Sequence, residues 1–147
     1  MKIDVKIKKL DENAKIPTKG SAEAAGADLY ALCTEDITIE PSATAMIRTG
    51  IALELPVGTV GLIYARSGIA SKRGLAPANK VGVVDNDYRG EVMVALHNHS
   101  TTPQTITNGE RIAQLVVMPY YCASFTEVGE LSDTDRGEGG FGSTGTK

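Results

Sequence analysis

Apolar and polar residues alternate with period two in a succession of short segments: residues 2–8, 27–32, 37–39, 44–55, 59–65, 91–97, 104–107, 111–118 and 124–128. Such alternation suits a half-buried strand, in which successive side chains point to opposite faces. Pro41, Pro56-Val57-Gly58, Thr102-Pro103 and Asn108-Gly109 punctuate the segments and mark turns and strand edges. Many short, closely spaced strands predict an all-β jelly roll, sandwich or barrel. Residues 66–72, RSGIASK, are the one stretch suited to a short helical turn, and no internal repeat is evident.

Two places break the alternation in ways that carry information. Residues 81–92, VGVVDNDYRGEV, join two strand-like runs through two acids, an amide, a tyrosine and an arginine. Asp, Asn and Gly are ordinary turn residues, so a simple connector accounts for all of it except Tyr88 and Arg89. From Leu131 onward, LSDTDRGEGGFGSTGTK has no alternation and holds five glycines between Gly137 and Gly145. That composition predicts a flexible C-terminal tail over residues 131–147, following a β domain over residues 1–130. Arg136, Phe141, Ser143 and Thr144 are unusual passengers for a spacer.

A chain of 147 residues fits one domain with its own core. With no Trp and 5% aromatic residues, that core is built from Val, Ile, Leu and Ala. The net charge of -3 argues against broad binding to nucleic acid or to a membrane surface, both of which need a sustained basic face. It leaves room for a small polyanion held by a few local cations. MKIDVKIKKL lacks the continuous apolar stretch of a secretory signal, and no apolar run reaches membrane-spanning length. Cys33 and Cys122 stand apart without C-x-x-C spacing, which favours two thiols in a reducing compartment, the cytoplasm, over a disulfide.

Binding a triphosphate without a P-loop calls for arginines, hydroxyls and glycine-exposed backbone N–H groups. Arg66-Ser67-Gly68 and the run from Arg136-Gly137 to Ser143-Thr144-Gly145 both meet that description, and G-x-x-x-x-G-K-[ST] is absent. Asp28 in AGADLYA and Gln114 in RIAQLVV interrupt apolar strand patterns. Each is either the solvent-facing member of a strand or a functional group, and an acid near phosphates would suit Mg²⁺ held through water. His97 and His99 form an H-x-H pair on one strand face, but no third ligand lies at zinc-like spacing, so a structural or interface role is expected.

Five ordered segments carry a resemblance: AGADLYA (25–31), ARSGIASKRG (65–74), NKVGVVDNDYRG (79–90), GERIAQLVV (109–117) and RGEGGFGSTG (136–145). Together they resemble the five motifs of the homotrimeric deoxyuridine triphosphatase family, in family order and across nearly the whole chain. The resemblance implies a jelly roll, Mg²⁺, and hydrolysis of dUTP to dUMP and pyrophosphate, which limits uracil in DNA and supplies dUMP for thymidylate synthesis. It also implies a homotrimer whose sites are shared between subunits.

Residue by residue, the resemblance makes VGVVDNDYRG a hairpin that receives deoxyuridine, with Val84 in its wall and Asn79 holding the base. Asp85 matches the residue that deprotonates the attacking water, and Tyr88 the ring beneath deoxyribose, where a 2′-hydroxyl would not fit. Arg66, Ser67, Gly68, Gln114, Arg136, Ser143 and Thr144 match groups that counter phosphate charge. Asp28 matches a position that supports the metal through its water shell. Phe141 and Gly142 match a lid that stacks over uracil and approaches the nucleotide closely.

The homologous dCTP deaminases share the fold, yet Ala95 occupies the place of their catalytic glutamate and cannot shuttle a proton. A nucleotide-sensing module without turnover would be expected to lack the base or the lid, and both are present in the sequence.

Overall fold

The computed structural model describes residues 2–140. The described residues form eleven strands and one short helix: β1 Lys6–Lys9, β2 Thr18–Lys19, β3 Ala27–Tyr30, β4 Ile37–Ile39, β5 Thr44–Glu54, β6 Thr59–Tyr64, α1 Ser67–Arg73, β7 Leu75–Pro77, β8 Gly82–Val84, β9 Glu91–Asn98, β10 Gln104–Ile106 and β11 Arg111–Pro119. A four-stranded sheet runs β1-β5-β9-β7, a five-stranded sheet runs β2-β3-β11-β6-β8, and β10 pairs with β4. Every pairing is antiparallel. The non-sequential strand order is that of a jelly roll, as the spacing of alternating segments predicts.

Alternation translates directly into packing. In β6 every second residue, Thr59, Gly61 and Ile63, is buried, and in β9 Val92, Val94, Leu96 and Asn98 point inward. These inward faces meet Leu29, Ile47, Ile51, Leu75, Ile106 and Ile112 in one aliphatic core. Asn98 is fully buried, and its amide is satisfied by the Ile39 and Thr102 carbonyls at 2.9 and 2.8 Å. Its own oxygen accepts the Ser100 N–H at 2.9 Å, so this polar plug in the core leaves no unpaired group there.

Two expectations fail. Residues 124–128 alternate in sequence but form no strand, and Tyr121 and Phe125 are 99% and 95% exposed. A strand needs a partner edge, and this arm finds none among the described residues. The first strand also begins at Lys6 rather than at residue 2, because pairing with β5 covers only Lys6–Lys9. The lysines of β1 leave a charged outer edge, a feature that discourages further sheet growth. No helix among the described residues is long and apolar enough to cross a membrane.

Candidate active site

Asp85, Asn86, Asp87, Tyr88, Arg89 and Gly90 link β8 of one sheet to β9 of the other. The Tyr88 N–H donates to the Asp85 carbonyl at 3.1 Å, closing a turn. Arg89 Nη1 reaches back to the carbonyls of Asn86 and Tyr88 at 2.6 and 3.0 Å and locks the tip. The Tyr88 hydroxyl donates to the Glu91 carbonyl at 3.1 Å. A Cβ on Gly90 would fall 2.3 Å from that hydroxyl, so only glycine lets the ring fold back.

The opposite wall comes from the segment before β8. Lys80 has φ +67°, and the Val81 N–H donates to the Asn79 carbonyl at 2.7 Å. This is a three-residue γ-turn of the uncommon positive-φ kind, and it presents Asn79 beside Gly82. Asn79, Gly82, Val84, Asp85 and Tyr88 line a cleft of about 270 Å³, completed by Ile63, Met46, Met93 and Glu91. Asp85 is exposed at its mouth.

A second cluster lies on the outer face of the five-stranded sheet. Gln114 of β11 is in register with both Asp28 of β3 and Tyr64 of β6, so directly paired residues share one face. The Asp28 carboxylate, 15% exposed, accepts from Arg66 Nε at 2.6 Å and Arg111 Nη1 at 3.3 Å. Gln114 Nε2 donates to the Ala65 carbonyl at 2.8 Å. Arg66 is the N-cap of α1, with Ser67 and Gly68 exposed in its first turn, and it makes no side-chain capping bond there. At the other end, Arg73 anchors α1 by donating to Gln104 Oε1 at 3.0 Å and to Glu110.

Gly26 is the close-approach position in this cluster. A Cβ there would lie 2.3 Å from Gln114 Oε1. Gly26→Ala is therefore expected to fold but to turn the Gln114 amide away from the Ala65 carbonyl and, on the role that the family resemblance implies for Gln114, to lower kcat/KM by about 10²-fold, the order of cost of a misplacement near 1 Å. Steady-state kinetics alongside a thermal melt checks this, since a folding defect would move the melt instead.

The structure thus gathers Asn79, Val84, Asp85 and Tyr88 in one cleft and Asp28, Arg66, Ser67, Gly68 and Gln114 in a separate cluster on the outer sheet face, but does not bring the two groups together within one chain. Val84 is paired with Gly61 and Gln114 with Tyr64, three positions apart on β6, and Asp85 is one position further away. At the ordinary strand rise the offset along the strand direction alone is about 13 Å. Arg136 is exposed and donates to the Gly139 carbonyl at 2.7 Å, inside its own turn. Phe141, Gly142, Ser143 and Thr144 lie outside the described residues.

Several contributors escape the sequence reading: Arg111 on Asp28, and Met46, Ile63, Glu91 and Met93 in the cleft wall. For Arg111 the signal was its place in GERIAQLVV, three residues before Gln114. His97 and His99 stack edge-on, with ring centroids 4.4 Å apart, and His97 Nδ1 meets Thr44 Oγ1 at 2.8 Å. Desolvation, followed by the charges of His97 and Lys80, lowers the His99 pKa. Among the described residues no group of three or more His, Cys, Asp or Glu could hold a metal ion. Ala95 lies on β9, its carbonyl accepting the Ala78 N–H at 2.7 Å.

A jelly roll with an acid-bearing cleft between its sheets defines a class with solved representatives. A point mutant of the dUTPase of Staphylococcus bacteriophage 80alpha superposes with a TM-score of 0.87 at 30% identity, over 97% of this chain and 99% of that one. A structure of the same phage enzyme with dUPNHPP gives 0.83 at 30% identity, over 97% and 98%. The dUTPase family model matches residues 12–145. A deoxyuridine 5'-triphosphate nucleotidohydrolase of Desulfitobacterium hafniense is 46% identical over 146 residues, 99% of this chain and 97% of the relative. The chain belongs to the dUTPase family.

Proposed function

We propose that the protein is a dUTP diphosphatase that hydrolyses dUTP to dUMP and pyrophosphate in sites shared between the subunits of a homotrimer. The observation that carries this reading is the cleft in which Asn79, Val84, Tyr88 and the exposed Asp85 converge, in a chain of this family. Uracil sits against the hairpin backbone with Asn79 beside it, and thymine's methyl group would collide with that wall. Tyr88 lies under the deoxyribose.

Asp85 acts as general base. It takes a proton from a water whose oxygen bonds to the α-phosphorus, while the bond from that phosphorus to the pyrophosphate oxygen breaks. Arg66, Ser67, Gly68 and Gln114, with Arg136, Ser143 and Thr144 of the tail, neutralise charge on the phosphate oxygens. Residues 131–147 serve as a lid, with Phe141 over the base and Gly142 allowing close approach.

Asp28 fits Mg²⁺ in a limited way. Each of its oxygens accepts one guanidinium bond and keeps a lone pair, which suits an ion that arrives on the triphosphate and keeps its water shell. Such an ion would supply charge neutralisation on the phosphates.

The shared site is supported by the separation of the two clusters, which one phosphorus cannot bridge. The uncovered arm points the same way: Tyr121, Phe125, Val128 and Leu131 are exposed apolar residues on an unpaired extended segment, a surface another subunit would cover. Cys33 and Cys122 are free, and burial with the nearby Asp36 and Glu110 raises the Cys33 pKa, an inert thiol suited to the cytoplasm. Pyrophosphate release from dUTP, dTTP, dCTP and UTP, with and without Mg²⁺, tests the reading. Efficient turnover confined to dUTP and dependent on Mg²⁺ is expected; equal turnover of UTP would refute it.

A further inference from the structure

Tyr88 does not hold its own position. Its ring folds over Gly90, and its hydroxyl donates to the backbone carbonyl of Glu91 at 3.1 Å. The sugar-facing ring is therefore only as fixed as the main chain at the start of β9.

That main chain is fixed by an unusual feature of β5. Arg48 pairs with Met93 and Ala52 with Glu91, so three residues of β5, Thr49, Gly50 and Ile51, stand opposite the single residue Val92. Gly50 takes φ +70° at the centre of this bulge and is packed so closely that a Cβ would fall 2.5 Å from Leu32 Cδ2. A bulge leaves backbone groups without ladder partners. Here the Glu91 side chain replaces one partner: Oε1 accepts the Gly50 N–H at 2.8 Å. Arg48 Nε closes on the same carboxylate, at 3.1 Å from Oε2 and 3.2 Å from Oε1. On the other side of the bulge the Thr49 hydroxyl donates to the Val92 carbonyl at 2.5 Å.

Glu91 itself lines the cleft and is 17% exposed. A half-buried carboxylate with a backbone donor and a guanidinium is held far more firmly than a solvated surface acid.

We propose that Glu91 is a positioning residue for sugar selectivity: its carboxylate fastens the start of β9 to the Gly50 bulge and so holds Tyr88 where a 2′-hydroxyl would collide. The inference rests on the dUTPase reading and extends it to a residue that touches neither the base nor the reacting phosphorus. Length matters more than charge in this arrangement. Glutamine can still accept from the Gly50 N–H, whereas aspartate keeps the charge but is one methylene too short to span from β9 to the bulge.

The test compares Glu91→Gln, Glu91→Asp and Glu91→Ala by kcat and KM for dUTP and UTP, with a thermal melt and the oligomer size for each. Asp and Ala are expected to narrow the dUTP-to-UTP ratio of kcat/KM by about tenfold or more, chiefly through KM, while Gln restores most of the ratio. A merely structural role would lower both activities in proportion and leave the ratio unchanged, and that result overturns the proposal. So does failure of both Asp and Ala to fold, which would make Glu91 a folding determinant. If the unaltered protein does not prefer dUTP, the dUTPase reading fails first, and that outcome is read separately, before any variant is compared.

Discussion

Replacing Asp85 by Asn leaves a folded protein that binds dUTP but turns it over about 10² to 10⁴ times more slowly, the range a positioned general base contributes. The turn tolerates the change, because its closing bond uses the Asp85 backbone carbonyl and Asn is equally at home in such a turn. Volume and hydrogen-bonding reach are conserved, and only the ability to take a proton is lost. Pyrophosphate release measures the first part, and titration with a non-hydrolysable dUTP analogue the second. Full turnover by the Asn variant would place the base elsewhere; loss of analogue binding would make Asp85 a ligand contact instead.

Arg66→Ala removes a cation that the proposed mechanism sets against the phosphates and is expected to lower kcat by about 10² to 10³, the order seen when one donor to a developing negative charge is deleted. The fold should survive, since Arg111 still contacts Asp28 and Arg73 still anchors α1. The larger consequence appears when this inactive variant is combined with the inactive Asp85→Asn chain. If a site takes Asp85 from one subunit and Arg66 from another, random mixing in equal amounts leaves about a quarter of sites with both residues intact. If each chain built its own site, every chain would carry one defect and no activity would return. Co-expression of the two variants, followed by the dUTP assay, therefore reads the site's architecture from a recovery rather than a loss. Recovery near zero in properly assembled trimers would contradict the shared site.

How much of this was visible in the sequence depends on the range over which each feature is determined. Local alternation was enough for β6 and β9, where T-V-G-L-I-Y and E-V-M-V-A-L-H-N bury every second residue as written. It was insufficient for residues 124–128, whose S-F-T-E-V pattern is that of a strand but whose pairing edge is not supplied by this chain. β2 has two residues and β7 contains Pro77, so neither gives a periodic signal, and both form only as edge strands of sheets already in place. The Gly50 bulge was hidden for a different reason: T-G-I-A-L loses its alternation only because Glu91 and Thr49 hold an offset between distant strands.

The cleft residues Asn79, Val84, Asp85 and Tyr88 were legible because they lie within ten residues of one another. The partnership of Asp28 with both Arg66 and Arg111 spans three strands and needed the register of β3 against β11. Sequence adjacency could not reveal that the acid and the guanidinium cluster are offset by about 13 Å along β6 in one chain, because that offset follows from pairing at opposite ends of the strand.

In the shared-site reading proposed above, this spacing along β6 makes catalytic power a collective property. On that reading a single polypeptide owns no working centre until it meets its copies. Specific activity should accordingly fall as the enzyme is diluted toward its assembly constant, even though every molecule remains natively folded.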